Sequence, residues 1–236
     1  MDRFDILPSI DARIHVQAER WRRHRIVPKA GASVAAIPFL TISRQYGCPA
    51  WTLAEEIARR LNQRLGGEEY VIYDKKLLEW IAANRSIETE LVDSLNERHK
   101  GELEDWVVSL ISGRPSEWSV FKELAKAVRS LALHGRAILI GRGSTSITRD
   151  LPGGVHIRIV APADWRLNAL ESEWPDRAEK VTLEMLLKLD KERESYVRKY
   201  LGEDPNAPEL YDITLNASRL SVDQQADAIE RLMVMV

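Results

Sequence analysis

The sequence predicts an α/β fold: a five-stranded parallel sheet wrapped by helices on both sides. Three observations carry that expectation. Five short apolar runs alternate with segments whose apolar residues recur every three or four positions, the pattern of parallel strands joined by crossover helices. Hydrophobic residues make up 44% of the 236 and charged residues 30%, ordinary globular usage with enough apolar side chains for a sizeable core. Glycine and proline punctuate the pattern at Gly66-Gly67, Gly113-Arg-Pro115, Gly135 and Ala161-Pro162.

The elements follow in order. Residues 1–35 form a basic arm, with seven Lys or Arg against four Asp or Glu. Ile10, Ile14 and Trp21 share one side of a helix there, and Arg20, Arg22, Arg23 and Arg25 crowd its end, where cations suit the helix dipole. The arm reads as packing on the body or on a second subunit, which makes a homodimer through it an expectation. Residues 37–43 are the first strand. A helix over 52–65 follows, with Leu53, Ile57, Leu61 and Leu65 four apart. Tyr70–Tyr73 is a short strand running into Asp74, and Leu77, Leu78 and Ile81 open the next helix. Residues 85–134 read as mainly helical, starting near Ser86 with Glu88 and Glu90 at the positive end. Arg136–Ile140, His156–Val160 and Tyr211–Leu215 are the remaining strands. Helices cover about 163–172 and 179–200. Ser221 with Gln224 forms a capping box that starts the last helix, lined by Val222, Ala226, Ile229 and Met233.

Charge and composition exclude several function classes. The net charge of −2 argues against broad coating of nucleic acid or anionic membrane. The one cysteine, Cys48, excludes an internal disulfide framework and a cysteine-built zinc site. His15, His24, His99, His134 and His156 show no metal-ligand spacing. No run approaches the ~18 apolar residues of a membrane span, and Met1–Pro8 lacks a basic stretch followed by an apolar core. A cytoplasmic protein is the expectation.

In an open parallel sheet, ligands bind beyond the C-terminal ends of the strands. The residues to interrogate are therefore Ser43 to Thr52, Asp74, Gly141 to Ser144 and the loop after Val160. The segment after the first strand holds the place of a phosphate-binding loop, where glycines turn backbone N–H groups inward and a helix N-terminus adds positive potential. Only Gly47 and Thr52 match that pattern. Pro49 lacks an N–H, Ala50 stands where glycine would help, and Trp51 takes the usual basic position. Thr52-x-x-Glu55 is also a capping-box spacing. Cys48, near a helix N-terminus, is placed where a thiol pKa can fall. Asp74 fits a ligand-facing strand end or a helix N-cap. Arg142, between two glycines after an apolar strand, suits bidentate phosphate binding. Trp106 and Trp118 fit either base stacking or buried packing.

Ile42-Ser-Arg-Gln-Tyr-Gly47, Tyr73-Asp-Lys-Lys-Leu-Leu78, Ile140-Gly-Arg-Gly143, Asp190-Lys-Glu-Arg-Glu-Ser-Tyr196 and Tyr211-Asp-Ile-Thr-Leu-Asn-Ala-Ser-Arg-Leu220 occur in this order. In order and spacing they resemble the cytidylate kinase-like family over about residues 38–235. The resemblance implies a three-layer P-loop kinase fold at 36–236, with a helical acceptor-binding insert at about 85–134 and a lid at about 186–204. It implies phosphoryl transfer from ATP with Mg²⁺ to CMP or dCMP. It assigns Ser43, Arg44, Gly47, Cys48, Trp51 and Thr52 to the ATP phosphates, with Thr52 as the magnesium ligand. Asp74, Arg142 and Gly143 would hold the acceptor, and Lys191, Arg193 and Arg198 would form the lid. Asp74, Arg142, Arg193 and Arg198 would act in catalysis. The family's loop typically reads Gly-Ser-Gly-Gly-Arg where this chain has Gly47-Cys-Pro-Ala-Trp51. That departure leaves two readings open, an active kinase and a kinase fold that binds a nucleotide or a protein partner without turnover.

Overall fold

A computed structural model of the chain describes residues 37–65, 69–112, 118–173 and 181–236. The expected arm at 1–35, the Gly66-Gly67 helix stop, the Gly113–Pro115 break and the side chain of Leu65 lie outside the described residues.

Two compact units are present. One spans 36–75 and 135–236 and carries the whole sheet. Its strands are β1 (Phe39–Arg44), β2 (Val71–Tyr73), β3 (Ala137–Ile140), β4 (Gly154–Val160) and β5 (Ile213–Asn216). They lie in the order β2-β3-β1-β4-β5, and every pairing is parallel. The five expected strands are thus present, with ends shifted by one to two residues. Its helices are α1 (Ala50–Leu65), α6 (Ser144–Thr148), α7 (Ala163–Glu173), α8 (Leu183–Leu201) and α9 (Val222–Met235).

The core of this unit grows from the predicted stripes. Leu53, Ile57 and Leu61 of α1 are fully buried against Leu40 and Ile42 of β1, Ile138 of β3 and Ile157 of β4, with Ile229 and Met233 from α9. Burying each such side chain contributes about 1.5–3 kcal/mol. The α9 capping box is complete: Gln224 N–H donates to Ser221 Oγ at 3.2 Å, and Ser221 N–H donates to Gln224 Oε1 at 3.0 Å. Arg60 of α1 ties the two helices together through Asp223 and Asp227 of α9.

One cap differs from expectation. The α1 helix begins at Ala50, and Leu53 N–H donates to the Pro49 carbonyl at 3.1 Å. Pro49 therefore fills the capping position, and Thr52 lies inside the first turn. Proline suits a helix start because its missing N–H would have no intrahelical acceptor there.

The second unit holds α2 (Lys75–Ala83, from Lys76 onward), α3 (Arg85–Asp93), α4 (Glu97–Ile111) and α5 (Ser119–His134). Asn84, not Ser86, caps α3: its side chain accepts from Ile87 N–H at 3.4 Å and from Ser86 Oγ at 2.8 Å. Asparagine is a strong capping residue, and standing two residues upstream it starts the helix one residue before Ser86. Trp118 is buried edge-on to Phe121, and Trp106 lies under the Arg129 guanidinium at 4.5 Å, so both tryptophans pack within this unit. No helix among the described residues is long and apolar enough to cross a membrane.

Candidate functional site

The strand ends of the sheet unit open onto a cavity of about 450 Å³. Ser43 and Arg44 enter it from the end of β1, Lys75 from the residues after β2, Gly141 to Gly143 from the turn after β3, and Ser144 to Ser146 from α6. Arg158 comes from β4, Tyr211 from the approach to β5, and Asp190, Glu192, Arg193, Glu194 and Tyr196 from α8.

The turn after β3 shapes this opening. Gly141, Arg142 and Gly143 have φ of +76°, +56° and +70°, three successive left-handed residues. Glycine takes that conformation freely, whereas arginine is strained in it by about 1–2 kcal/mol. The strain aims Arg142 into the cavity, where its guanidinium lies 4.9 Å from the ring centre of Tyr196. Gly141 has a second reason to be glycine. A Cβ there would stand 1.9 Å from Arg44 Nη1, so the bare backbone makes room for that guanidinium.

Cations crowd the site. Burial first, then Arg193 and Arg142, pull the Arg44 pKa down to about 9, while Asp74 opposes the shift. Burial likewise pulls down Arg193, against the attraction of Asp190. Arg44 thus keeps its charge at neutral pH while bearing the repulsion of two neighbouring guanidiniums, which an incoming anion would relieve. Arg193 donates to the Arg44 carbonyl at 3.4 Å and lies 5.1 Å from the ring centre of Tyr46.

A polar wall faces these cations. Ser43 and Arg158 are register partners across β1 and β4. Arg158 is buried and donates to Ser43 Oγ at 3.0 Å, to the Tyr211 hydroxyl at 3.3 Å and to Asn206 Oδ1 at 2.6 Å. The Tyr211 hydroxyl donates its proton to the Pro205 carbonyl at 2.8 Å, and its oxygen shares a hydrogen bond with Ser43 Oγ at 3.1 Å.

The expected phosphate loop is arranged differently. Gln45 N–H donates to the Ile159 carbonyl, Cys48 N–H to the Gln45 carbonyl and Ala50 N–H to the Cys48 carbonyl. Tyr46 N–H donates to Asp190 Oδ1 at 2.6 Å. With Pro49 lacking an N–H, these backbone donors are already engaged. Gly47, Cys48, Trp51 and Thr52 do not line the cavity, and Cys48 and Trp51 pack against the sheet core. Burial pushes the Cys48 thiol up to about 11, so the helix-start lowering expected from sequence is outweighed. As folded, this loop and Thr52 do not fit a magnesium-bound triphosphate.

The structure therefore brings together Ser43, Arg44, Arg142, Gly143 and Arg193 of the residues singled out from sequence. Asp74, at the end of β2, bears on the site through its field at Arg44. Lys191 is exposed outside the cavity. Arg198 points away and pairs with Glu194 and Asp204 on the surface. Sequence reasoning missed Lys75, Arg158 and Tyr211. Arg158 carried a usable signal: an arginine near the C-terminal end of a strand whose other side chains, His156 apart, are apolar.

The profile of the cytidylate kinase-like family matches residues 39–219. No curated protein matches. Among solved structures, an uncharacterized protein from Eubacterium ventriosum ATCC 27560 is 18% identical with a TM-score of 0.60, covering 84% of this chain and 99% of its own. Shikimate kinase from Bacteroides thetaiotaomicron is 14% identical with a TM-score of 0.44, covering 83% of this chain and 98% of its own. The first of these likenesses is one of fold.

Proposed function

The chain belongs to the cytidylate kinase-like family, and on that footing we propose that its cavity binds the phosphate of a pyrimidine nucleoside monophosphate such as CMP or dCMP. The convergence of Arg44, Arg142, Arg158, Arg193 and Lys75 on one opening carries the reading. The acids that share the opening are Asp190, Glu192 and Glu194, and two of them are committed elsewhere, Asp190 to Arg166 and Glu194 to Arg198. A dianionic phosphate is the ligand such an excess of guanidinium suits. In this reading Arg142 and Arg44 grip the phosphate, Arg193 closes on it from α8, and the Ser43–Arg158–Tyr211 wall orients the rest of the nucleotide.

Phosphoryl transfer from ATP with Mg²⁺ to that phosphate is the second reading, favoured by family membership and by Asp74 beside Arg44. Such catalysis rests on positioning and charge neutralisation. It requires the loop after β1 to open and admit donor phosphates. Binding without turnover is the reading the folded loop favours.

Titration calorimetry with CMP, and separately with ATP and Mg²⁺, tests these readings. We expect wild-type protein to bind CMP and Arg142→Ala to bind it at least tenfold more weakly. Heat with ATP, followed by ADP release in a coupled assay, would replace binding alone with the transferase reading. Binding of neither ligand by protein that is folded by circular dichroism would overturn both.

A further inference from the structure

An acid stands where a phosphate-binding loop would offer its donors. Asp190 of α8 is buried, and its two carboxylate oxygens are both engaged. Oδ1 accepts the Tyr46 N–H at 2.6 Å, and Oδ2 accepts from Arg166 Nη1 at 2.6 Å. Arg166 of α7 is only 3% exposed, and it also donates to the Tyr46 carbonyl at 2.8 Å and to the Ala161 carbonyl at 3.0 Å. The loop is thus held between two helices by one ion pair. Gly47 lets it approach: with φ of +84°, a Cβ there would lie 3.0 Å from Arg166 Cβ. Three residues along α8, Arg193 reaches the Arg44 carbonyl, a second tie between this helix and the end of β1.

A backbone N–H and a guanidinium converging on one anion is the usual recipe for holding a phosphate. Here the anion belongs to the protein. We propose that Asp190 is an intramolecular anion that fills the loop after β1, so that the chain takes a single monophosphate in the arginine cavity and admits a polyphosphate only when Asp190 is withdrawn. The monophosphate half rests on the function proposed above; the role of Asp190 does not. A polyphosphate reaching for the Tyr46 N–H meets a like charge at hydrogen-bond distance. Remove the carboxylate, and the Tyr46 N–H loses its acceptor while the buried Arg166 guanidinium, still bonded to two carbonyls, loses its counter-charge, which makes an external anion favourable in its place.

The test uses the full chain and inorganic tripolyphosphate as the probe. Calorimetry compares wild type, Asp190→Ala and Glu192→Gln, the last removing an equal charge from the cavity lining without touching the loop. Asp190→Ala should bind tripolyphosphate at least tenfold more tightly than wild type. It should also regain melting temperature on adding the probe by more than wild type does. Glu192→Gln should gain no more than about threefold. Equal affinity in wild type and Asp190→Ala would overturn the proposal, and so would an equal gain in Glu192→Gln. If Asp190→Ala does not fold, Asp190→Asn decides, and its gain must exceed that of Glu192→Gln. CMP is titrated in parallel. A tripolyphosphate gain in Asp190→Ala without CMP binding in any form would overturn the monophosphate half and uphold the role of Asp190.

Discussion

Replacing Gly141 by alanine separates two consequences of the turn after β3. The first is backbone strain. At φ of +76° an alanine loses about 1–2 kcal/mol relative to glycine. The second is steric. The new Cβ would stand 1.9 Å from Arg44 Nη1, where ordinary contact begins near 3.4 Å, so the guanidinium must move by about 1.5 Å. That displacement exceeds the tolerance of a charge-assisted hydrogen bond, which contributes about 1.5–3 kcal/mol. CMP affinity should therefore fall about 10- to 100-fold. Gly202→Ala is the control. Its φ of +71° brings the same strain, but open space surrounds its Cβ. Both variants should melt about 2–8 °C below wild type, since 1 kcal/mol shifts a chain of this size by about 2–4 °C. Gly141→Ala alone should lose CMP affinity. Thermal unfolding and calorimetry on the three proteins decide it. Unchanged CMP binding in Gly141→Ala, or equal loss in Gly202→Ala, would refute the placement of Arg44 at the ligand.

Other predictions follow from the same geometry. Arg142→Lys keeps the charge but loses the fork, so calorimetry should show CMP affinity reduced by about tenfold, short of the loss in Arg142→Ala. His156 is buried, with its Nδ1 hydrogen-bonded to Thr41 Oγ1 at 2.8 Å, and burial holds its pKa below the ordinary 6.5 despite Asp212. The unfolded chain then binds a proton that the folded one refuses, so stability is full above pH 6.5 and declines as pH falls below it. Denaturant melts between pH 7.5 and about 5 should show that decline, with a smaller slope in His156→Gln. Cys48, with its thiol raised to about 11, should react with a thiol reagent at pH 7 much more slowly in the folded chain than in denaturant.

The strands were legible because each is a short apolar run, and α1 and α9 because their buried residues keep helical spacing. The order β2-β3-β1-β4-β5 was not legible, since it is set by pairings between distant residues such as Ile42 with Ile140. The α6 helix, Ser-Thr-Ser-Ile-Thr, is too short to show a period. At the site, Arg142 could be read from its flanking glycines. Arg158 was hidden inside an apolar run, and its partners lie 48 to 115 residues away along the chain. Asp190 stands among acids that alternate with bases along α8, and nothing local in the sequence marks it as buried. Its partner in the loop is 144 residues distant, and only the fold brings that N–H to it. Cys48 and Trp51 show the opposite failure: a loop position suggested ligand contact, and packing against the core claimed both side chains.

In the proposed function one phosphate sits among the arginines at the strand ends. A crystal structure of the chain with CMP tests it most directly. Phosphate density is expected within hydrogen-bonding distance of Arg142 and Arg44, with Asp190 still bonded to the Tyr46 N–H. Phosphate density on the loop at Gly47 to Thr52, with Asp190 displaced, would contradict it.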